Sequence, residues 1–142
     1  MKRLTTNLMI AAAALAAVAG SASAQTLKAD IPFTFHMGTV VMSPGTYEVR
    51  TNHTGSGSIF VLQNKETHTS AMVAQVSASD APNAWRAGGV AKLGFECAGS
   101  RCVLRAIWHA GDAYVYNFGG PKFGRGEEVH TAVIAMTSVK AD

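Results

Sequence analysis

From Leu27 to Val139 the apolar residues occur in short runs, none with the three-and-four spacing of an amphipathic helix, and clusters of turn-forming residues cut each run from the next. The clusters are Ser43-Pro44-Gly45, Gly55-Ser56-Gly57, Asp80-Ala81-Pro82-Asn83, Gly88-Gly89, Gly111-Asp112 and Gly119-Gly120-Pro121. Their glycine, proline, asparagine and aspartate residues supply the backbone angles that chain reversals need. This punctuation leaves no room for long helices and predicts an all-β chain of about eight strands. The strands are expected at Leu27 to Phe35, Thr46 to Thr51, Ser58 to Gln63, Thr69 to Ser77, Val90 to Cys97, Cys102 to His109, Ala113 to Phe118 and Val129 to Val139. Strands this short bury one apolar face by closing into a small antiparallel barrel or by folding over as a sandwich, and alternation alone suits both.

The most sharply specified piece is the pair of runs joined by Ala98-Gly99-Ser100-Arg101, which read as a β-hairpin with a Cys97–Cys102 disulfide at its neck. With Cys97 facing Cys102, regular antiparallel pairing sets Phe95 opposite Leu104, Leu93 opposite Ala106 and Ala91 opposite Trp108, all on one apolar face. Lys92, Glu96, Arg105 and His109 then share the other face, where Glu96 and Arg105 are diagonal neighbours able to pair. A slip of one residue would expose the apolar set and separate the sulfurs, so crosslink and core demand the same register. The spacing of four between the cysteines differs from that of a redox Cys-x-x-Cys motif, and no second pair completes a zinc site.

An oxidising compartment is implied by the N-terminus as well. Lys2 and Arg3 precede an uncharged, alanine-rich run from Leu8 to Ala19 and an Ala22-Ser23-Ala24 ending, the three parts of a secretory signal. The run falls short of the about 20 apolar residues that span a bilayer. Cleavage after Ala24 is expected, giving a signal peptide over 1–24 and one all-β domain over 25–142, exported to the periplasm or the medium. Without Lys2 and Arg3, ten basic residues face nine acidic ones, and no block of like charges offers the basic stripe that a nucleic acid backbone requires. No later apolar stretch is long enough for a transmembrane helix, and no cysteine lies beside the cleavage site to carry a lipid. An outer-membrane barrel is disfavoured too: its strands need about ten residues with aromatic girdles, and this chain ends in Lys140-Ala141-Asp142.

Near the start of the domain, Ile31, Phe33 and Phe35 alternate toward one face, and the Pro44-Gly45 reversal brings Tyr47 and Val49 to the same core. Aromatic residues at period two mainly bury area, and in a small barrel they can also line a space for one apolar ligand. Ile31-Pro32-Phe33-Thr34-Phe35, Gly38, Pro44-Gly45-Thr46-Tyr47-Glu48-Val49, Lys92-Leu93-Gly94-Phe95 and Ile107-Trp108 together resemble a group of uncharacterised small exported proteins of acidobacterial-type soil bacteria. The resemblance spans most of the mature chain and implies a small β-domain; it implies no activity, cofactor or catalytic residue.

Groups able to do chemistry are scattered. His36, His53, His68, His109 and His130 include no pair at a short ligand spacing, and no serine sits in a nucleophile-elbow pattern. A histidine-centred hydrolase would need His109 and Asp112, or His68 and His130, to converge in the fold. His109-Ala110-Gly111-Asp112 is the nearest approach to a constellation and reads first as a solvated turn beside Trp108. Gly119 to Gly126 reads as a mobile surface loop in which Lys122, Phe123 and Arg125 form a candidate contact site. Asp80 to Gly89 reads as a long loop whose Trp85 either forms a binding patch or, preferably, folds back to plug the end of a barrel. The expectation is therefore a non-catalytic exported binding or envelope-associated module with no metal or cofactor. Its expected partners are a small apolar ligand, an envelope component, or a second copy docked through a sheet edge.

Overall fold

The computed structural model describes residues 26–55 and 57–139; the expected signal peptide lies outside them. Twelve strands and one short helix follow in order. They are β1 (Leu27–Ile31), β2 (Phe35–Met37), β3 (Val40–Met42), β4 (Gly45–Thr54), β5 (Gly57–Asn64), β6 (Ser70–Ala74), β7 (Ser77–Asp80), α1 (Asn83–Gly88), β8 (Lys92–Ala98), β9 (Arg101–Trp108), β10 (Tyr114–Asn117), β11 (His130–Ala135) and β12 (Thr137–Ser138). Three of the expected strands are each divided. Pro32 has no N–H to give a ladder, so the first run stops at Ile31, crosses between sheets and resumes at Phe35. The fourth and last runs break at Gln75-Val76 and at Met136.

Those breaks decide the architecture. One sheet has the order β12-β1-β4-β5-β6 and the other β11-β8-β9-β10-β7, with β2 running parallel to β9 and carrying β3 on its far side. β6 and β12 belong to the first sheet, while β7 and β11, their immediate neighbours in sequence, belong to the second. Bends in two strands thus bridge the sheets, and the result is a sandwich without the unbroken ladder of a closed barrel. β2 and β10 share one edge of β9, at Cys102-Val103 and at Ala106-Ile107 respectively.

Between the sheets β4 and β5 alternate strictly, burying Tyr47 and Val49 from one and Phe60 and Leu62 from the other. Ile31, Phe35, Tyr47 and Val49 all enter this core, as expected. Phe35 meets Tyr47 and Phe95 edge-on at 5.4 Å each, and Phe33, partly buried, meets Phe95 at 5.0 Å. The Tyr47 hydroxyl donates to the Ser43 carbonyl, which satisfies the one polar atom of that ring.

The β8–β9 hairpin carries the Cys97–Cys102 disulfide, with the paired Cα atoms 4.0 Å apart, and Phe95 faces Leu104 as expected. Beyond that point the expected register fails. Gly94 pairs with Ala106, Leu93 with Ile107 and Lys92 with Trp108, because a bulge leaves Arg105 as an extra residue on β9. The bulge turns Ile107 inward beside Leu93 and sends Trp108 to the opposite face, where it joins Ala81 and Val115 in a second small core. Arg105 and Glu96 remain close enough to pair, at 3.7 Å.

That opposite face is covered, not solvated. The segment expected to be a loop contains α1, six residues ended by Gly89 in the left-handed conformation, too short for helical periodicity to register. Trp85 on α1 packs over Gly94, where an added Cβ would lie 3.2 Å from the indole Cη2 and 3.4 Å from Ala106 Cβ. Trp85 therefore does fold back, onto the outer face of the second sheet and not into a barrel end.

Candidate functional site

The Gly119–Gly126 segment forms the other half of this outer cover. The Arg101 and Arg105 guanidinium groups lie 4.8 and 5.9 Å from the centre of the Phe123 ring. Arg105 donates to the Pro121 carbonyl at 2.6 Å, Arg101 pairs with Glu127 at 3.2 Å, and the same carboxylate accepts from the Gly124 N–H at 2.7 Å. An added Cβ at Gly120 would meet Val103 Cγ1 at 3.3 Å, so the backbone itself seals Val103 from water. The expected mobile loop is thus a strap tied to β9: Phe123 is occupied by two arginines, and of the three candidate contact residues Lys122 and Arg125 alone stay exposed.

The richest grouping of chemically active side chains lies at one end of the sandwich, between the sheets. Alternation along β4 continues its inward face from Tyr47 and Val49 to the half-buried Thr51, and His53, two residues on, is exposed. His53 faces Ser58 across the β4–β5 ladder, and its Nδ1 lies 2.8 Å from the nearly buried Ser58 Oγ. From the second sheet His109, just past the end of β9, brings its Nε2 to 3.0 Å from Thr51 Oγ1, with the Phe60 ring centre 6.1 Å away. The turn after His109 is closed by the Asp112 N–H donating to the His109 carbonyl at 3.1 Å, and Gly111 supplies its left-handed backbone. The Asp112 carbonyl in turn accepts from Trp108 Nε1 at 2.8 Å. Burial pushes the His109 pKa below the ordinary imidazole value; the Asp112 charge pulls it part of the way back, and the neighbouring His53 lowers it further. His109 is consequently a neutral imidazole at pH 7.

The backbone turn from His109 to Asp112 forms, without a hydrogen bond between the imidazole and the Asp112 carboxylate, whereas His68 sits in the β5–β6 turn and His130 opens β11 on the other sheet. Among the described residues no carboxylate hydrogen-bonds either histidine of the His53–His109 group, and no three His, Cys, Asp or Glu side chains are placed to hold a metal ion.

Comparison of this chain with protein families, with curated proteins and with solved structures found no match. The site must be read from its own geometry. His109 also walls a cleft of about 320 Å³ whose apolar lining comes from Leu27, Ala91 and Met136, with Thr137 and Ser138 adding hydroxyls. Three separate stretches of chain, the start of β1, the approach to β8 and the β11–β12 bend, supply these residues, which is why no local motif announces the cleft. Two larger depressions, about 450 Å³ each, are more open. One is bordered by Asp30 and Glu66 beside Ile31, Pro32 and Pro44, the other by Glu127, Glu128 and His130, so both carry carboxylates that the His109 cleft lacks. Among the described residues no helix is long and apolar enough to cross a membrane.

Proposed function

We propose that this protein is an exported, non-catalytic binding domain that holds a small, mainly apolar molecule in the His109 cleft. The observation that carries this reading is the cleft itself. It is the most enclosed of the three depressions, it is within the size range of small-molecule sites, and it combines an apolar floor with one neutral imidazole. Export is supported by the signal-like N-terminus and by a disulfide that closes only a small hairpin ring, a bond that forms and persists where the surroundings are oxidising. Native mass spectrometry of the mature protein recovered from periplasm or medium is expected to show a retained small molecule, and Ala91→Leu, which pushes a larger side chain toward the cleft, is expected to abolish it. A chain that emerges bare in both forms overturns the reading.

A histidine-centred hydrolase is the second reading, and the Ser58–His53 contact is the observation that favours it. It asks a nearly buried hydroxyl to act as nucleophile with no carboxylate bonded to its imidazole partner. Turnover of p-nitrophenyl acetate that Ser58→Ala abolishes would establish it over the binding reading.

A further inference from the structure

The chemistry of the cleft wall narrows what it can hold. Its lining carries no fixed charge: none of the residues around it is Asp, Glu, Lys or Arg, and His109, Thr137 and Ser138 are the polar ones. A carboxylate or phosphate would therefore be stripped of water with no cation to meet it, and a cationic amine would find no carboxylate. Among the polar groups in the wall, His109 alone is anchored from behind. Thr51 holds Nε2 from the first sheet at 3.0 Å, which fixes the ring plane and leaves Nδ1 as the ring nitrogen with no hydrogen-bond partner among the described residues. The floor formed by Leu27, Ala91 and Met136, each less than one-tenth exposed, favours flat or branched hydrocarbon over polar surface.

We infer that the cleft takes a neutral apolar ligand bearing a hydroxyl, of the size of a simple phenol or short alcohol, and that the hydroxyl bonds His109 Nδ1. A hydroxyl suits either tautomer. It donates to Nδ1 when Nε2–H points at Thr51, and it accepts from Nδ1–H when the Thr51 hydroxyl donates to Nε2. This specificity rests on the binding reading above and assigns the chemical class to the same cleft.

Phenol, toluene and benzoate separate the possibilities, because the first two share a shape and differ in the hydroxyl while the third adds charge. Titrations of the mature disulfide-bonded protein at pH 7.5, followed by the Ala91, Ala110 and Thr137 backbone amides and by the His109 ring nitrogens, are expected to place phenol in the cleft with a shift confined to Nδ1. Benzoate is expected to bind at least tenfold more weakly. His109→Leu is expected to lower the phenol-to-toluene affinity ratio about tenfold, the value of one net hydrogen bond. The ring-nitrogen measurement on the unsubstituted protein decides the point even where that variant folds poorly. Toluene and phenol shifting the cleft amides alike, with Nδ1 unmoved, overturns the hydroxyl specificity while leaving an apolar binding cleft. No shift of the cleft amides by any of the three overturns the binding reading itself.

Discussion

Replacing Trp85 by alanine distinguishes a surface residue kept for contact from one used to cover a sheet. The indole packs on Gly94 and on the second small core of Ala81, Trp108 and Val115. A tryptophan side chain buries 150–250 Å² when enclosed, and taking about 100 Å² of that as apolar area returned to water gives roughly 2.5 kcal/mol. For a domain of this size that lowers the melting temperature by about 10 °C. Urea unfolding followed by far-ultraviolet circular dichroism reads the loss directly, and Trp108, the second of the two tryptophans, supplies an independent fluorescence signal. A companion substitution tests the contact itself. Gly94→Ala puts a methyl 3.2 Å from the indole and is expected to destabilise the unsubstituted protein, yet to be nearly neutral once Trp85 is alanine, a coupling on the order of 1 kcal/mol. A Trp85→Ala effect within about 0.5 kcal/mol, the range of an ordinary surface change, would refute the packing argument, as would strict additivity of the two substitutions.

Removing both cysteines as Cys97→Ala with Cys102→Ala is expected to lower stability by about 2 kcal/mol from ring closure alone, measured as a urea midpoint against the oxidised protein. The protein is expected to lose stability on acidification. Because the folded His109 pKa lies below the unfolded one, the unfolded chain binds more protons between the two, so the contribution is complete above about pH 6.5 and is lost as pH falls toward the folded value. Urea midpoints at pH 7.5 and 5 are expected to differ less in His109→Gln than in the parent, and an unchanged difference would remove His109 from the acid response. Phe123→Ala frees the Arg101 and Arg105 guanidinium groups at a cost of about 1 kcal/mol and is expected to speed trypsin cleavage after Lys122 or Arg125; an unaltered digestion rate would mean that the strap is held by its other bonds.

Legibility from sequence followed the range of the interactions involved. The Cys97–Cys102 crosslink and the Phe95–Leu104 pair were readable because four residues separate the strands and alternation fixes the faces. At the next pair the register departs from regular alternation, since a bulge at Arg105 goes with Trp108 packing against Ala81 and Val115, far off in sequence. Phe123 reads as a contact residue, and the place where Trp85 folds back reads as a barrel end, for the same reason: a loop aromatic is covered according to what lies beneath it, here a pair of arginines on β9 and Gly94. The His109–Asp112 turn was visible, whereas Thr51 and Ser58 gave no signal beyond the alternation that turns them inward, and His53 gave none at all.

An all-β chain and the inward faces of Phe35, Tyr47, Val49, Phe95 and Leu104 were determined by the sequence alone, because period-two alternation and turn residues act over a few neighbours and hold in any tertiary setting. Barrel or sandwich was not decided there. Local alternation is the same in both, and the choice fell to whether β6–β7 and β11–β12 carry one continuous ladder or pass from sheet to sheet at Gln75-Val76 and Met136. The cleft was likewise a product of tertiary structure: Leu27, Ala91, Met136 and His109 meet where bent strands separate the sheet ends, and long-range packing is what sets the space between them.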